Sequence, residues 1–140
     1  MSESGICERN TKQLICDIII FGQNAKNKRE MPEMVETKIY VGMNDSAEKK
    51  QLFETETFIS IMRNVCYSYK TPFSFNVEEG GYVHEDGTYT RENTLVLTLI
   101  DVDKSTVEEI AKDLCVFFHQ ESVLITESPV HSYYISESLE

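Results

Sequence analysis

The stretch FSFNVEEGGYVHEDGTYTRENTLVLTLI, Phe73–Ile100, reads as two strands folded back on each other at Glu85-Asp86-Gly87-Thr88. Asp86-Gly87 is a residue pair able to hold the positive φ angles of a tight turn between strands. Upstream, Phe73, Phe75 and Val77 alternate with Ser74, Asn76 and Glu78; downstream, Leu95, Leu97 and Leu99 alternate with Thr94, Val96 and Thr98. Each run therefore wants one face inward. A strict two-residue turn pairs Val83 with Thr90 and Val77 with Val96, which puts the phenylalanines and the leucines on opposite faces. A shift of one residue restores the phase, because side chains alternate with a period of two. Gly80-Gly81 offers room for the extra residue, so the sequence predicts a β-bulge there.

Working outward, Val35, Thr37, Ile39, Val41 and Met43 alternate with polar or small residues and predict a first strand ending near Gly42. Phe58, Ile61, Met62, Val65, Cys66 and Tyr69 recur at helical spacing, with Thr55 or Thr57 as N-cap and Pro72 beyond the end. Met62 and Tyr69 belong to that stripe and read as core. After the hairpin, Ser105-Thr106-Val107-Glu108 has the spacing of a capping box and opens a second helix, buried through Val107, Ile110, Ala111, Leu114, Phe117 and Phe118 and ending at His119-Gln120. Ser122–Thr126 reads as a fourth strand broken by Pro129, with Val130–Ile135 as a possible edge continuation. The order strand, helix, strand, strand, helix, strand predicts an α+β, ferredoxin-like domain: a four-stranded antiparallel sheet with two helices on one face.

This domain spans 34–140, and residues 1–33 read as an N-terminal extension. Within the extension, Leu14–Phe21 is an apolar segment, with Asn10 as a cap and Gly22 as a stop; it reads as a helix, with a strand as the alternative. Such a patch needs cover, from its own domain or from a second subunit. No apolar run approaches the ~20 residues that span a bilayer, and Met-Ser-Glu-Ser does not open a leader, so a cytoplasmic location without membrane contact is expected. Cys7, Cys16, Cys66 and Cys115 have no metal-binding or redox spacing and read as reduced thiols. The formal charge is −11, and no Lys or Arg occurs from Asp113 to Glu140. That balance argues against direct nucleic-acid binding, which needs clustered cations. It suits a solvated surface or, in a second reading, an acidic surface that engages a basic host protein.

No nucleophile elbow, phosphate-binding loop, dinucleotide glycine pattern or His-Glu-x-x-His is present, and neither a cofactor nor a metal is expected. Glu78, Glu79, Glu85, Asp86 and Glu92 read as a solvated turn, and His84 as a cross-strand partner of Tyr89. His119, Glu121 and His131 lack specific metal spacing, and a histidine at a helix C-terminus is accounted for by the helix dipole. Arg91 is the only Lys or Arg between Thr71 and Asp103. Arg91 follows Tyr89 at strand spacing, Tyr82 falls nearby across the hairpin, and Lys38 with Tyr40 makes a similar pair on the first strand. Aromatic rings beside an isolated cation stack a base and hold a phosphate, so these five are the candidate ligand-binding residues. The alternative is that Arg91 balances Glu79 and Glu92.

The segments Glu36-Thr37-Lys38-Ile39-Tyr40-Val41-Gly42, Glu85-Asp86-Gly87-Thr88, Glu92-Asn93-Thr94-Leu95 and Gln120-Glu121-Ser122-Val123-Leu124 resemble a family of small proteins from bacteria, phages and conjugative elements. The resemblance covers about residues 34–127. It implies a compact domain and a mobile-element origin, with no activity attached. Taken together, the expectation is a non-enzymatic, oligomeric binding protein that sequesters a small anionic, nucleotide-like signal and so counters host defence. The alternatives are an acidic inhibitor of a basic host protein and a small oligomeric enzyme using His84 or His119 as base.

Overall fold

A computed structural model describes residues 33–137. The apolar segment 14–21, with residues 1–32 of the extension and its Cys7 and Cys16, lies outside the described residues. Four strands, β1 (Glu33–Gly42), β2 (Ser74–Val83), β3 (Tyr89–Ile100) and β4 (Leu124–His131), combine with two helices, α1 (Thr55–Tyr69) and α2 (Lys104–Phe117), in the order β1-α1-β2-β3-α2-β4. The strands form one antiparallel sheet in the order β2-β3-β1-β4. This is the expected ferredoxin-like arrangement. Met34–Val130 is one compact unit, and the described residues from His131 onward belong with a second, in which Tyr133, Tyr134 and Ile135 are exposed.

The core follows from the two periodicities. Ile39 and Val41 on β1, Met43 just past its end, and Leu95, Leu97 and Leu99 on β3 are fully buried. They meet Phe58, Met62, Val65 and Cys66 of α1 and Val107, Ile110, Leu114 and Phe118 at α2 in one cluster. Burying each large member stabilises the fold by roughly 1.5–3 kcal/mol. Burial also pushes the Cys66 thiol up to about 11, so it stays a neutral, unreactive filler. Tyr69 is half-buried, and its hydroxyl donates to Asp113 Oδ2 at 2.8 Å, tying α1 to α2.

The hairpin corrects the predicted bulge. β2 and β3 pair without interruption from Ser74↔Thr98 to Val83↔Tyr89, straight through Gly80↔Glu92 and Gly81↔Arg91. The shift of one residue is made in the turn instead. His84 N–H donates to Thr88 O and Gly87 N–H to His84 O, which leaves a three-residue loop, Glu85-Asp86-Gly87. Gly87 has φ +90, the left-handed geometry that such a loop needs at its last position. Asp86 Oδ1 accepts from the Thr88 N–H and hydroxyl and locks the turn. Phe75 thereby faces Leu97, and Val77 faces Leu95.

Several boundaries also differ from expectation: α2 ends at Phe117 and not at His119-Gln120, and β4 begins at Leu124 and not at Ser122. The N-cap of α2 is Asp103, not Ser105: its carboxylate accepts from Thr106 N–H and from the Ser105 and Thr106 hydroxyls. An aspartate gathers three donors where a serine gathers one. At α1 the cap position is Glu54, ahead of either threonine, and no side chain caps it. β4 runs through Pro129 to His131 because it is an edge strand, where a missing N–H facing outward breaks no ladder. Among the described residues no helix is long and apolar enough to cross a membrane.

Candidate functional site

Side chains alternate between the two faces of the sheet, so parity places every candidate residue. Odd-numbered positions of β1, β2 and β3 lie on the helix-covered face; even-numbered positions lie on the other. Arg91 and Tyr89 are therefore on the helical side, and Lys38, Tyr40 and Tyr82 are on the far side. Tyr82 faces Thr90 across the hairpin and Tyr89 faces Val83. A bulge at Gly80-Gly81 would have set Tyr82 opposite Arg91; the extra residue in the turn moves it to the other face. The five residues thus form two groups in one chain.

On the helical side, the ribbon outruns the helices. Arg91 and Tyr89 are largely exposed there. Arg91 Nε lies 3.5 Å from Glu79 Oε2, which realises half of the charge balance read from sequence. A pair this exposed contributes little to stability. The backbone of Arg91 is better held, its carbonyl accepting from Asn44 Nδ2 at 3.2 Å.

The far side carries a feature that the sequence reading passed over. Glu92 does not pair with Arg91; it lies on the opposite face, and its Oε2 accepts from Asn44 N–H at 3.0 Å. Its carboxylate lies over Gly42, where a Cβ would overlap it. On the other flank, the partner of Glu92 on β2 is Gly80. A Cβ placed at Gly80 would meet nothing nearer than the Glu92 carbonyl and Thr94 Oγ1, both at 3.8 Å. Glu92 therefore has a glycine beside it on each neighbouring strand, Gly80 directly opposite on β2 and Gly42, the partner of Thr94, diagonally on β1. The notch over Gly80 is bounded along β2 by Glu78 and Tyr82, and across on β3 by Thr90, Glu92 and Thr94. Glycine inside a strand marks a place where another group approaches the sheet closely.

One wall of the notch is aromatic. Tyr82 and His84 meet edge to face with centroids 5.1 Å apart, and His84 Nε2 is hydrogen-bonded to Thr90 Oγ1. His84 lies opposite Thr88, not Tyr89 as expected, again because of the turn. Lys38 is paired with Thr98 and Tyr40 with Val96. From Glu92 to Thr98 is six residues of strand, about 20 Å at ~3.3 Å per residue, so Lys38 is remote from the notch within one chain.

A second cluster fastens the loop after β1. Asp45 is 8% exposed; it accepts from Ala47 N–H (3.0 Å), Glu48 N–H (2.9 Å) and His119 Nδ1 (2.9 Å). His119 sits just past α2 with φ 55, and its carbonyl accepts from Ser46 N–H. Gln120 Nε2 donates to Asn44 O at 2.6 Å. His119 is thus engaged by Asp45, and no cluster of metal-binding side chains occurs among the described residues. The Glu48 N–H, and then the His119 imidazole, hold the Asp45 carboxyl below its ordinary value of 3.8. A carboxylate with a depressed native value binds fewer protons folded than unfolded. Its stabilisation is complete above the ordinary carboxyl range and is lost as pH falls through the native value. The stability difference between wild type and Asp45→Asn, from urea unfolding at several values between about pH 6 and pH 2, is therefore expected to shrink with acid. A difference independent of pH would remove the carboxylate from this role.

No family model and no curated protein matches the chain. Among solved structures, the chain is similar to a phage SAM lyase in its apo state, with a TM-score of 0.55 and 19% identity over 80% of this chain and 100% of that one. It is also similar to a phage SAM lyase in complex with S-methyl-5'-thioadenosine, with a TM-score of 0.51 and 17% identity over 80% and 100% of the two chains. The likeness is one of fold.

Proposed function

We propose that the protein binds a small nucleoside-like ligand on the sheet face away from the helices, in the notch over Gly80, within an assembly of several copies. The observation that carries this reading is the pair of glycines flanking Glu92, which opens the sheet surface beside a carboxylate and an aromatic wall. Tyr82 and His84 supply a surface on which a base stacks, each stacked base being worth about 1–3 kcal/mol. Glu92, with Glu78 beside the notch, accepts hydrogen bonds from ribose hydroxyls and favours positive charge. The notch contains no Lys or Arg, so an adenosyl sulfonium, the chemistry of S-adenosylmethionine, suits it better than a nucleoside phosphate. The similarity to a protein captured with S-methyl-5'-thioadenosine supports the same ligand class. An anionic ligand would need Arg91 or Lys38 from a neighbouring copy, since in one chain Arg91 lies on the other face and Lys38 is remote along the sheet. Sequestration of such a ligand by a phage or mobile-element protein would deprive host defence of it.

Isothermal titration against S-adenosylmethionine, S-methyl-5'-thioadenosine and ATP, with recovery of each ligand afterwards, tests this reading. S-adenosylmethionine is expected to bind best, and Glu92→Gln to weaken it about tenfold, or ~1.4 kcal/mol, with less effect on the uncharged thioether. ATP binding that depends on Arg91 or Lys38 would favour the anionic version. Intact ligand on recovery supports sequestration, and cleaved ligand would replace it with turnover. Binding of none of the three would sink the proposal.

A further inference from the structure

We propose that the groove between α1 and α2 docks a basic amphipathic helix of a partner protein. This is independent of the ligand reading, because the groove lies on the helical side and the notch on the other. The groove has a volume of about 420 Å³ and is lined by Ile61, Val65 and Phe117 with Asn64, Ser68 and Asp113. Phe117 is 53% exposed and its neighbour Val116 68% exposed, although α2 already buries Val107, Ile110, Ala111 and Leu114 on its inner face. Two uncovered apolar side chains at the end of one helix exceed what packing on the sheet requires. A pair of adjacent helices presents ridges and a groove that a third helix fills, through apolar anchors at i, i+3 or i+4, and i+7.

Charge selects the occupant. None of the six lining residues is Lys or Arg, and Asp113 contributes a carboxylate whose Oδ2 accepts from the Tyr69 hydroxyl. Glu109, one turn earlier on α2, lies close enough to act on the same tyrosine: Asp113 first and Glu109 last raise the Tyr69 hydroxyl above its ordinary value. The chain as a whole is −11. An apolar floor with an acidic flank fits a helix with one apolar face bordered by Lys or Arg. It repels an acidic helix and an anionic lipid surface.

The probe is a fluorescein-labelled synthetic helix of about 14 residues, matched to the ~21 Å length of α2, with leucines at helical spacing and lysines elsewhere. Its control keeps the leucines and carries glutamates. Fluorescence anisotropy is expected to show the lysine peptide binding at least tenfold more tightly than the glutamate peptide, and weakening with salt. Phe117→Ser removes the exposed anchor and Asn64→Lys places a cation in the groove; each is expected to lower affinity about tenfold. Asn64 is exposed, so its variant keeps the test valid if the Phe117 variant folds poorly. No binding of the lysine peptide, equal binding of the glutamate peptide, or binding unchanged in both variants would overturn the proposal. Self-association of the chain that is abolished by Asn64→Lys would overturn it too, by making a second copy the occupant.

Discussion

Phe118→Ala is expected to lower stability by about 3–5 kcal/mol, the range for removing a buried phenyl ring without collapse of the surrounding core. Phe118 is 2% exposed and its ring lies 4.7 Å from that of Phe58, tilted by 50°, which closes the core at the end of α2. Its N–H donates to Leu114 O, so it also ends the helix. The next residue is His119, which holds Asp45 and the loop after β1. The cavity would therefore open beneath the junction of α2, β1 and α1. Urea unfolding should show a lower midpoint with an unchanged m-value. A loss below about 1 kcal/mol would mean that neighbouring side chains refill the space, contrary to close packing around this ring.

Gly42→Ala should act on the site and the fold together. A Cβ at Gly42 would overlap the Glu92 carboxylate, the far end of a flexible side chain, so the carboxylate moves rather than the sheet. Moving it breaks its bond to Asn44 N–H, a charge-assisted contact worth about 1.5–3 kcal/mol. Some of that returns through solvation of both groups, and the expected loss is about 1–2 kcal/mol. Affinity for the nucleoside-like ligand should fall by tenfold or more, because Glu92 is no longer where the notch presents it. Gly80→Ala meets only ordinary contacts at 3.8 Å and is expected to fold normally while filling the notch. If Gly42→Ala binds as the parent does while Gly80→Ala does not, the pocket is the space over Gly80 and Glu92 plays no part in it.

Most of the fold was legible because burial imposes a period on the sequence. The alternation through Ile39, Val41, Leu95, Leu97 and Leu99, and the helical stripe through Phe58, Met62 and Cys66, each admit one inward face. The caps were less legible, since Ser105 and Asp103 both satisfy a cap pattern and only the geometry shows which one gathers the donors. The site was the least legible. The need for one extra residue in the hairpin was readable, but hydrophobic pattern fixes its presence and not its place. Putting it at Gly80-Gly81 or in the turn leaves Phe75 and Val77 facing the core either way, yet sends Tyr82 to opposite faces. In the sequence, Glu92 reads as one carboxylate among several near a turn. The signal that could have found it was a glycine on each neighbouring strand, which becomes visible once β1 is paired beside β3.

That pairing also orders events as the chain folds. The two central strands, β1 and β3, join residues more than fifty positions apart, from Gly42↔Thr94 to Glu36↔Ile100, while β2 and β3 meet across three residues. The hairpin can close within about 1–10 μs, but the central ladder must first gather α1 and the whole hairpin into one loop. The entropy of closing that loop falls before most of the core contacts can form, and such long-range pairing slows folding. Until β1 arrives, the inner edge of β3 is an unpaired strand bearing Leu95, Leu97 and Leu99, and it is the surface most prone to pair with another chain.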